Sequence, residues 1–244
     1  MKYLLLSTLF LSSISAFASP TIILGEDTRV EITDAKARTT HNSIGLLSMT
    51  YGKASGVCTG TIVGPRSVIT AAHCLYDAKS GKMTSAVTFI PGLRKKLPVS
   101  KYPYGAFKAT KIRIFQNYKK TLSNNDDLGI VTFSENLPFK SIPLVAASDF
   151  DKNIVIAGYP ADKNLGELWE GKGKRKELFM FKVTNEYTVD TFSGQSGSGI
   201  RTNRLNSEVI IGIHSGAQNI NYNVGFFFNQ ETLAAVKKWI EEDK

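Results

Sequence analysis

The chain has 244 residues, a formal net charge of +9 and 42% hydrophobic residues, which is enough to bury one large core or two small ones. It shows no internal repeat, heptad pattern or low-complexity segment, so repeat and coiled-coil architectures are excluded. Basic clusters at residues 94–96 and 172–176 predict a basic surface that could also attract acidic substrates or polyanions. No aromatic side chains are interleaved with them, so we expect no nucleic-acid partner.

Residues 1–18 predict an export signal. Lys2 supplies the positive charge, residues 3–11 form a short apolar run, and residues 16–18 have the small-x-small form of a cleavage site. The run is too short to span a bilayer, and no later stretch reaches the length of about 18 apolar residues that a span needs. We therefore expect a secreted or periplasmic product that begins near Ser19, with no membrane anchor.

Short apolar runs bounded by turn residues follow one another through most of the chain. They are rich in β-branched and aromatic residues, so they predict strands. The predicted strands are 44–47, 60–63, 67–70, 87–90, 111–115, 128–133, 153–157, 178–183, 208–213 and 224–228. Many short strands without helices between them predict an all-β sandwich or barrel.

Three other segments have their own character. Residues 138–143 look like a connector between two halves, and residues 159–176, rich in Gly and Lys, predict a long surface loop. Residues 230–241 predict a C-terminal helix that Asn229 caps. Its apolar face would consist of Leu233, Val236, Trp239 and Ile240.

A serine between glycines, Ser196, lies in the stretch from residue 190 to residue 199. Glycine at 194 and 197 permits a sharp turn that would aim the Ser196 hydroxyl outward. The N–H groups of Gly194 and Ser196 could then converge on a developing oxyanion. A plain Gly/Ser loop has the same composition, so the interpretation depends on two other stretches.

The first of these stretches contains a histidine beside a cysteine, His73 and Cys74. Cys58 is the other cysteine of the chain, and an even count in an exported protein predicts one disulfide. That bridge would pin the loop that carries His73, as a general base requires. A structural histidine beside a buried strand is the alternative. Two cysteines and three scattered histidines show no metal-ligand spacing, so we expect no metal and no cofactor.

The second stretch places Asp127 at the start of an apolar strand. A carboxylate there could accept the second N–H of His73, fix its tautomer and stabilise the imidazolium. Asp126 is the less favoured neighbour. A pair of turn aspartates that starts a strand is the structural alternative.

Together these motifs resemble a chymotrypsin-fold serine protease, most closely the bacterial glutamyl endopeptidase branch. The segments that carry the resemblance are 25–30, 70–74, 127–130, 158–160, 194–198 and 211–216. The order His–Asp–Ser along the chain is also that of chymotrypsin. The resemblance covers nearly all of residues 22–242. It implies a protease domain over 19–244, with six-stranded antiparallel barrels at about 40–140 and 145–228, followed by the helix.

The resemblance also implies residue roles. Ser196 would be the nucleophile, His73 the general base and Asp127 its orienting partner, with the oxyanion hole at Gly194 and Ser196. The enzyme would be a monomer that hydrolyses protein or peptide substrates through an acyl-enzyme.

Two positions match the pocket that reads the side chain before the cleaved bond. Thr191 and His214 correspond to the hydroxyl and histidine of the glutamyl endopeptidase branch, which implies a preference for Glu or Asp. Asp190 occupies the place of the aspartate that attracts Lys or Arg in trypsin-like enzymes, so that specificity is the alternative.

Gln195 stands where trypsin-like zymogens carry the aspartate that binds the freed N-terminal amine. That salt bridge cannot form here. Maturation is then either signal removal near Ser19 or trimming to about Ile22, and in the glutamyl endopeptidase branch the new α-amine can help to neutralise the substrate carboxylate.

Two other classes of protein compete with the enzyme. One is a catalytically silent chymotrypsin-fold binding protein, and the other is a periplasmic or cell-wall binding module that relies on basic charge. The first usually lacks His or Ser of the triad, and the second has no recognition motif here.

Overall fold

A computed structural model describes residues 22–95, 102–178 and 183–243. The predicted signal at 1–18 and the expected start near Ser19 lie outside the described residues. The described chain begins with strand β1 (Val30–Glu31) and the short helix α1 (Thr39–Asn42). No helix within the described ranges is long and apolar enough to cross a membrane.

The first barrel follows α1. Strands β2 to β9 are Ile44–Tyr51, Ala54–Gly64, Ser67–Thr70, Tyr76–Asp77, Lys82–Met83, Ala86–Pro91, Phe107–Ile114 and Gly129–Phe133, with helix α2 (Tyr118–Thr121) before the last. Six of them close an antiparallel ring in the order β2-β3-β4-β9-β8-β7, while β5 and β6 form a separate hairpin. Closure leaves no free strand edge in this ring.

Residues 44–47 of strand β2 are buried on both faces of the strand, which is why this half of β2 is apolar throughout. Leu47 and Met49 point into the core of the first barrel. Ile44 and Leu46 join a second cluster with Tyr159, so this strand also packs on the second barrel.

The second barrel contains strands β10 to β15. Their bounds are Asn153–Gly158, Trp169–Glu177, Val183–Tyr187, Gly199–Arg204, Ser207–Asn219 and Tyr222–Phe227. The ring runs β11-β10-β13-β14-β15-β12 and closes because β12 also pairs with β11. β1 pairs with Trp169 and Glu170 of β11, on the edge of β11 opposite to β10. The predicted all-β fold of two six-stranded antiparallel barrels is therefore confirmed.

The predicted surface loop at 159–176 is wrong in its second half, where β11 forms. The strand was missed because its exposed side chains are mostly lysines and its glycines interrupt any alternation. Its buried side chains are also charged, Glu170 and Arg175. The Glu170 Oε2 accepts hydrogen bonds from His41 Nε2 and Arg201 Nη2, both at 2.8 Å. The predicted strand 178–183 lies largely outside the described residues, and β12 begins only at its end.

The predicted C-terminal helix is confirmed as α3 (Gln230–Glu242). Asn229 caps it, accepting from Thr232 N at 2.8 Å, while the Thr232 hydroxyl accepts from Asn229 N at 3.0 Å. Leu233 and Val236 are buried against the core of the first barrel.

Candidate active site

A histidine and an aspartate meet at one end of the first barrel. His73 follows β4 and Asp127 precedes β9, and these strands are paired neighbours. The Asp127 carboxylate accepts the His73 backbone N–H at 2.9 Å and lies 2.7 Å from its Nδ1. Because Nδ1 donates its hydrogen to this carboxylate, the lone pair of the neutral ring is on Nε2.

The two adjacent aspartates have different surroundings. Asp127 is 1% exposed, whereas Asp126 accepts hydrogen bonds at the surface from Asn117 Nδ2 at 2.8 Å and Thr121 Oγ1 at 2.7 Å. The structure therefore brings Asp127, and not Asp126, to His73.

The pKa of His73 reflects two opposing effects. Burial disfavours the charged ring and lowers the pKa, but the charge and hydrogen bond of Asp127 raise it, and the net shift is upward. Asp127 thus stabilises the imidazolium that a general base becomes when it accepts a proton.

The predicted disulfide is present between Cys58 and Cys74, with a Cα–Cα distance of 6.2 Å. It ties strand β3 to the residue after His73 and so restrains the histidine loop. His73 and the two sulfur atoms lie within 4.8 Å of one another. Because both sulfurs are engaged in the disulfide, this cluster offers no thiolate to a metal.

The serine turn lies against strand β3 of the first barrel. Thr59 N donates to Ser196 O at 2.8 Å, and Gly197 N donates to His214 O at 2.9 Å. Gly194 and Gly197 have φ angles of +96° and +81°, which only glycine adopts readily. The sharp turn expected from the glycines is therefore present, but the expectation that it aims the Ser196 hydroxyl outward is wrong, because Ser196 is 0% exposed.

Three fixed carbonyls orient the amides of this turn. Ser193 O accepts from Ala161 N at 2.6 Å, Gln195 O from Ser198 N at 3.0 Å, and Gly194 O from Thr59 Oγ1 at 2.9 Å. In a trans peptide the N–H points opposite to the preceding carbonyl, so the first two bonds fix the directions of the Gly194 and Ser196 N–H groups. Within the described ranges, neither N–H donates to a protein acceptor.

The Ser196 Oγ and His73 Nε2 atoms are both buried, and neither has a hydrogen-bond partner among the described residues. They approach the same stretch of β3 from the two barrels, since Cys58 is bonded to Cys74 and Thr59 to Ser196. The structure thus places the Ser196 hydroxyl and the His73 Nε2 on either side of the same stretch of β3, and the N–H groups of Gly194 and Ser196 lie in the serine turn itself.

A second buried histidine, His214, lies beside the serine turn. The Tyr187 hydroxyl donates to Val224 O at 3.0 Å, so its oxygen accepts from His214 Nδ1 at 2.6 Å. The lone pair is then on Nε2, which has no partner in the described chain, nor has the buried Thr191 Oγ1. Burial and the nearby charge of His73 lower the pKa of His214 to about 3, so the ring is neutral in this structure.

Asp190 is occupied by the N-terminal segment. Its Oδ1 accepts from Leu24 N at 2.7 Å, and its Oδ2 accepts from Thr28 N at 3.0 Å and from the Thr28 hydroxyl at 2.5 Å. Both carboxylate oxygens are thus engaged within the protein.

Thr59 and Tyr187 escaped the sequence analysis, although each supports a site residue. The same is true of Arg29, whose guanidinium contacts Gln195. The only sequence feature that could have indicated the role of Arg29 is its place in the segment 25–30, which carries part of the resemblance. No sequence feature indicated the roles of Thr59 and Tyr187.

Paired barrels with a histidine–aspartate pair and a glycine-flanked serine turn define the class of chymotrypsin-fold serine proteases. Residues 32–240 match the family described as Trypsin, and the chain belongs to that family. It is a serine endopeptidase, a hydrolase of the trypsin-like class.

The chain is similar in sequence to several named bacterial proteases. A Glutamyl endopeptidase of Bacillus licheniformis is 28% identical over 229 residues, which cover 89% of this chain and 68% of the relative. A Staphylococcus aureus Glutamyl endopeptidase is 28% identical over 230 residues, covering 91% of this chain and 59% of the relative. A Bacillus subtilis protein named Extracellular metalloprotease is 26% identical over 232 residues, which cover 91% of this chain and 71% of the relative.

Among solved structures, a Glu endopeptidase in complex with MPD superposes with a TM-score of 0.73 at 26% identity. The match covers 90% of this chain and 100% of that one. The chain is thus similar to glutamyl endopeptidases in both sequence and fold.

The packing around Gly197 generates a first prediction. A Cβ at Gly197 would lie 2.5 Å from Thr59 O and would also collide with the Thr70 hydroxyl. Together with the left-handed backbone, this predicts that Gly197→Ala costs roughly 2–6 kcal/mol of unfolding free energy. Denaturant unfolding measures this loss, and the variant should also lose peptidase activity.

Gly52→Ala is the matched control. Gly52 has φ +61°, but a Cβ there meets nothing within 4 Å. It should cost only about 1–2 kcal/mol for the left-handed backbone. Equal losses of stability in the two variants would contradict the close approach of the serine turn to β3.

Proposed function

We propose that this endopeptidase cleaves peptide bonds with Ser196 as nucleophile, His73 as general base and Asp127 as the partner of His73. The observation that carries the proposal is the His73–Asp127 pair, together with a serine turn held on the same strand β3. Among the described residues, neither His73 Nε2 nor the Ser196 hydroxyl has a hydrogen-bond partner. A binding protein has no need of this arrangement, so the enzyme is preferred over the catalytically silent alternative.

In the proposed reaction His73 Nε2 takes the proton of the Ser196 hydroxyl as Oγ attacks the carbonyl carbon of the substrate. The C–N bond then breaks, and the leaving amine takes that proton from His73. A water molecule repeats the sequence on the acyl-enzyme and releases the acid. Throughout, the N–H groups of Gly194 and Ser196 stabilise the negative oxygen.

The raised pKa of His73 predicts the pH dependence of this reaction. The base must be neutral, so kcat/KM should be lost as pH falls through that raised pKa. Asp127→Asn removes the charge that raises it and leaves burial, so the acidic limb should move to lower pH. The same variant should lose about 10⁴-fold in kcat, because the tautomer is no longer fixed.

Two controls accompany this measurement. Asp126→Asn changes the neighbouring carboxylate, which does not contact His73, and should retain near-normal kcat and the same acidic limb. Ser196→Ala should lose both hydrolysis and labelling by a fluorophosphonate. Labelling that survives in Ser196→Ala, or an acidic limb that Asp127→Asn leaves in place, would refute the assigned roles.

We further propose that His214 and Thr191 read a Glu or Asp side chain before the cleaved bond. Each presents a buried polar atom that has no partner among the described residues. Thr191 lies five residues before Ser196, and the His214 carbonyl accepts from Gly197 N in the serine turn. Asp190 supports this specificity over the Lys/Arg alternative, because its oxygens already bind Leu24 and Thr28. The relatives named Glutamyl endopeptidase support it as well.

Recognition of a carboxylate by His214 involves proton uptake. Before a substrate binds, Nε2 carries a lone pair, which repels a carboxylate, and Tyr187 holds the hydrogen on Nδ1. A bound glutamate raises the pKa of the ring, so the imidazolium can donate from Nε2. A glutamine substrate brings no charge and gains much less from this protonation.

This coupling predicts that the ratio of kcat/KM for Glu and Gln peptides falls as pH rises. His214→Gln should lower kcat/KM for the Glu peptide by roughly 10- to 100-fold and affect the Gln peptide less, because a charge-assisted hydrogen bond is lost. Paired peptides that differ only at the residue before the cleaved bond measure both effects.

Fluorophosphonate labelling of His214→Gln should remain, which separates specificity from catalysis. Faster cleavage of Lys or Arg peptides than of Glu peptides by the unaltered enzyme would overturn the proposed specificity.

Export and trimming complete the proposal. The disulfide fits an oxidising compartment, so we place the mature enzyme outside the cytoplasm, secreted or periplasmic, acting as a monomer on proteins or peptides. Ile22 is well anchored for a chain terminus. Its N–H donates to Asn223 Oδ1 at 3.2 Å, and its carbonyl accepts from Asn223 Nδ2 at 3.0 Å and from Thr191 N at 3.3 Å.

These contacts predict a mature N-terminus at about Ile22, with its ammonium group near the specificity pocket. Mass spectrometry of the exported protein tests the position, and a long retained pro-segment would contradict it. A chain that starts at Ile22 should also discriminate Glu from Gln more strongly than one extended by a single alanine, because the extension moves the positive charge away.

A further inference from the structure

An arginine from the N-terminal segment lies directly behind the serine turn. The Arg29 side chain is 0% exposed. Its Nε donates to Asp27 Oδ1 at 2.9 Å, its Nη2 to Asp162 Oδ2 at 2.5 Å, and its Nη1 to Gln195 Oε1 at 3.0 Å. A buried guanidinium with three separate acceptors has a fixed position, because its planar fork leaves little freedom.

The contact with Gln195 reaches the residue before Ser196. Gln195 Oε1 accepts from Phe192 N at 2.9 Å as well as from Arg29, while Gln195 N donates to Phe192 O at 3.0 Å. The two hydrogen bonds between Phe192 and Gln195 close the turn on both sides. Gly194 is the third residue of this turn, so its N–H is oriented by them.

The contact with Asp162 reaches the same turn by a second route. Asp162 follows Ala161, whose N–H donates to Ser193 O at 2.6 Å. Because the Ser193 carbonyl and the Gly194 N–H belong to one peptide plane, fixing the carbonyl fixes the direction of the N–H. Arg29 therefore restrains both the side-chain and the main-chain supports of Gly194.

We propose that Arg29 is a positioning residue that holds the oxyanion-forming turn in its working shape through Gln195 and Asp162. An internal cation supplied by the folded N-terminal segment replaces a freed chain terminus in this task, and neutral Gln195 serves as its acceptor. The turn is then formed whenever residues 27–29 are docked, independently of cleavage before them. This inference rests on the proposed role of Ser196 and its oxyanion donors.

Arg29→Met tests the inference. It removes the donors and keeps much of the side-chain volume. We expect kcat to fall about 10²-fold, as for loss of one oxyanion donor, while KM changes little because the specificity pocket is not touched. Fluorophosphonate labelling of Ser196 should slow to a similar extent.

Lys163→Met is the matched control. Lys163 Nζ lies 3.0 Å from Asp27 and 3.7 Å from Asp162, so its removal weakens ion pairs of the same two carboxylates without touching Gln195. It should retain near-normal kcat. If Lys163→Met loses as much kcat as Arg29→Met, general destabilisation of the ion pairs explains both losses and the proposal is overturned.

Variants of Gln195 test whether Arg29 acts through the Gln195 side chain. They also replace Arg29→Met as the test if that variant fails to fold. Gln195→Met removes the acceptor and should lower kcat, whereas Gln195→Glu keeps it and should retain most of kcat. In the Arg29→Met background, Gln195→Met should cost much less than it does alone, since the two residues act through one contact. Full additivity of the two losses would overturn the route through Gln195.

The unaltered enzyme separates this inference from the function on which it rests. If it does not hydrolyse peptides or label at Ser196, the proposed function fails. If it does both and Arg29→Met matches it in kcat and labelling rate, the role of Arg29 fails while the catalytic assignment stands.

Discussion

One hydrogen bond, from Thr59 N to Ser196 O at 2.8 Å, joins the two barrels at the proposed nucleophile. The surrounding contacts depend on the position of strand β3, which contains Thr59. The Thr59 hydroxyl donates to Gly194 O, the Thr70 hydroxyl donates to Thr59 O, and the preceding Cys58 is bonded to Cys74 beside the histidine. A shift of β3 by one residue would turn Thr59 to the other face of the sheet and break all of these contacts at once. The register of β3 therefore positions both halves of the site.

The close approach of the barrels requires small residues where their backbones meet. A Cβ at Gly158, at the end of β10, would lie 2.6 Å from the Thr59 hydroxyl and would also collide with Ser198. One part of the apolar interface is formed by Ile44 and Leu46, which pack on Tyr159. Another is formed by Phe115 of the first barrel and Phe226 of the second, whose ring centroids are 5.7 Å apart. Burial of apolar side chains stabilises the contact between the barrels, but this effect is non-directional. The close contacts at glycines and the hydrogen bonds therefore set the relative position of the barrels.

The parts of the fold and site that follow from neighbouring residues were predictable from the sequence. Strand 67–70 was found because it is a short run rich in β-branched residues that follows a turn. The serine turn was found because its glycines carry the backbone angles. The supports that depend on distant residues were not. Arg29 and Gln195 are 166 positions apart, Asp190 binds a segment equally remote, and Tyr187 lies behind His214 only because β12 and β15 are paired. No local pattern contains these pairings, because they arise when the barrels close.

The two buried histidines of the site interact electrostatically, which links specificity to catalysis in the proposed mechanism. The charge of His73 lowers the pKa of His214, and Asp127 raises it. When His73 takes the proton of Ser196, the added positive charge disfavours a second imidazolium nearby. A glutamate carboxylate in the pocket offsets that repulsion, whereas a glutamine does not. The substrate charge therefore stabilises the transition state as well as the bound substrate, so an acidic side chain should favour kcat and not only KM. The two charges are screened only weakly by water, because His214 is buried and the His73 side chain is 9% exposed.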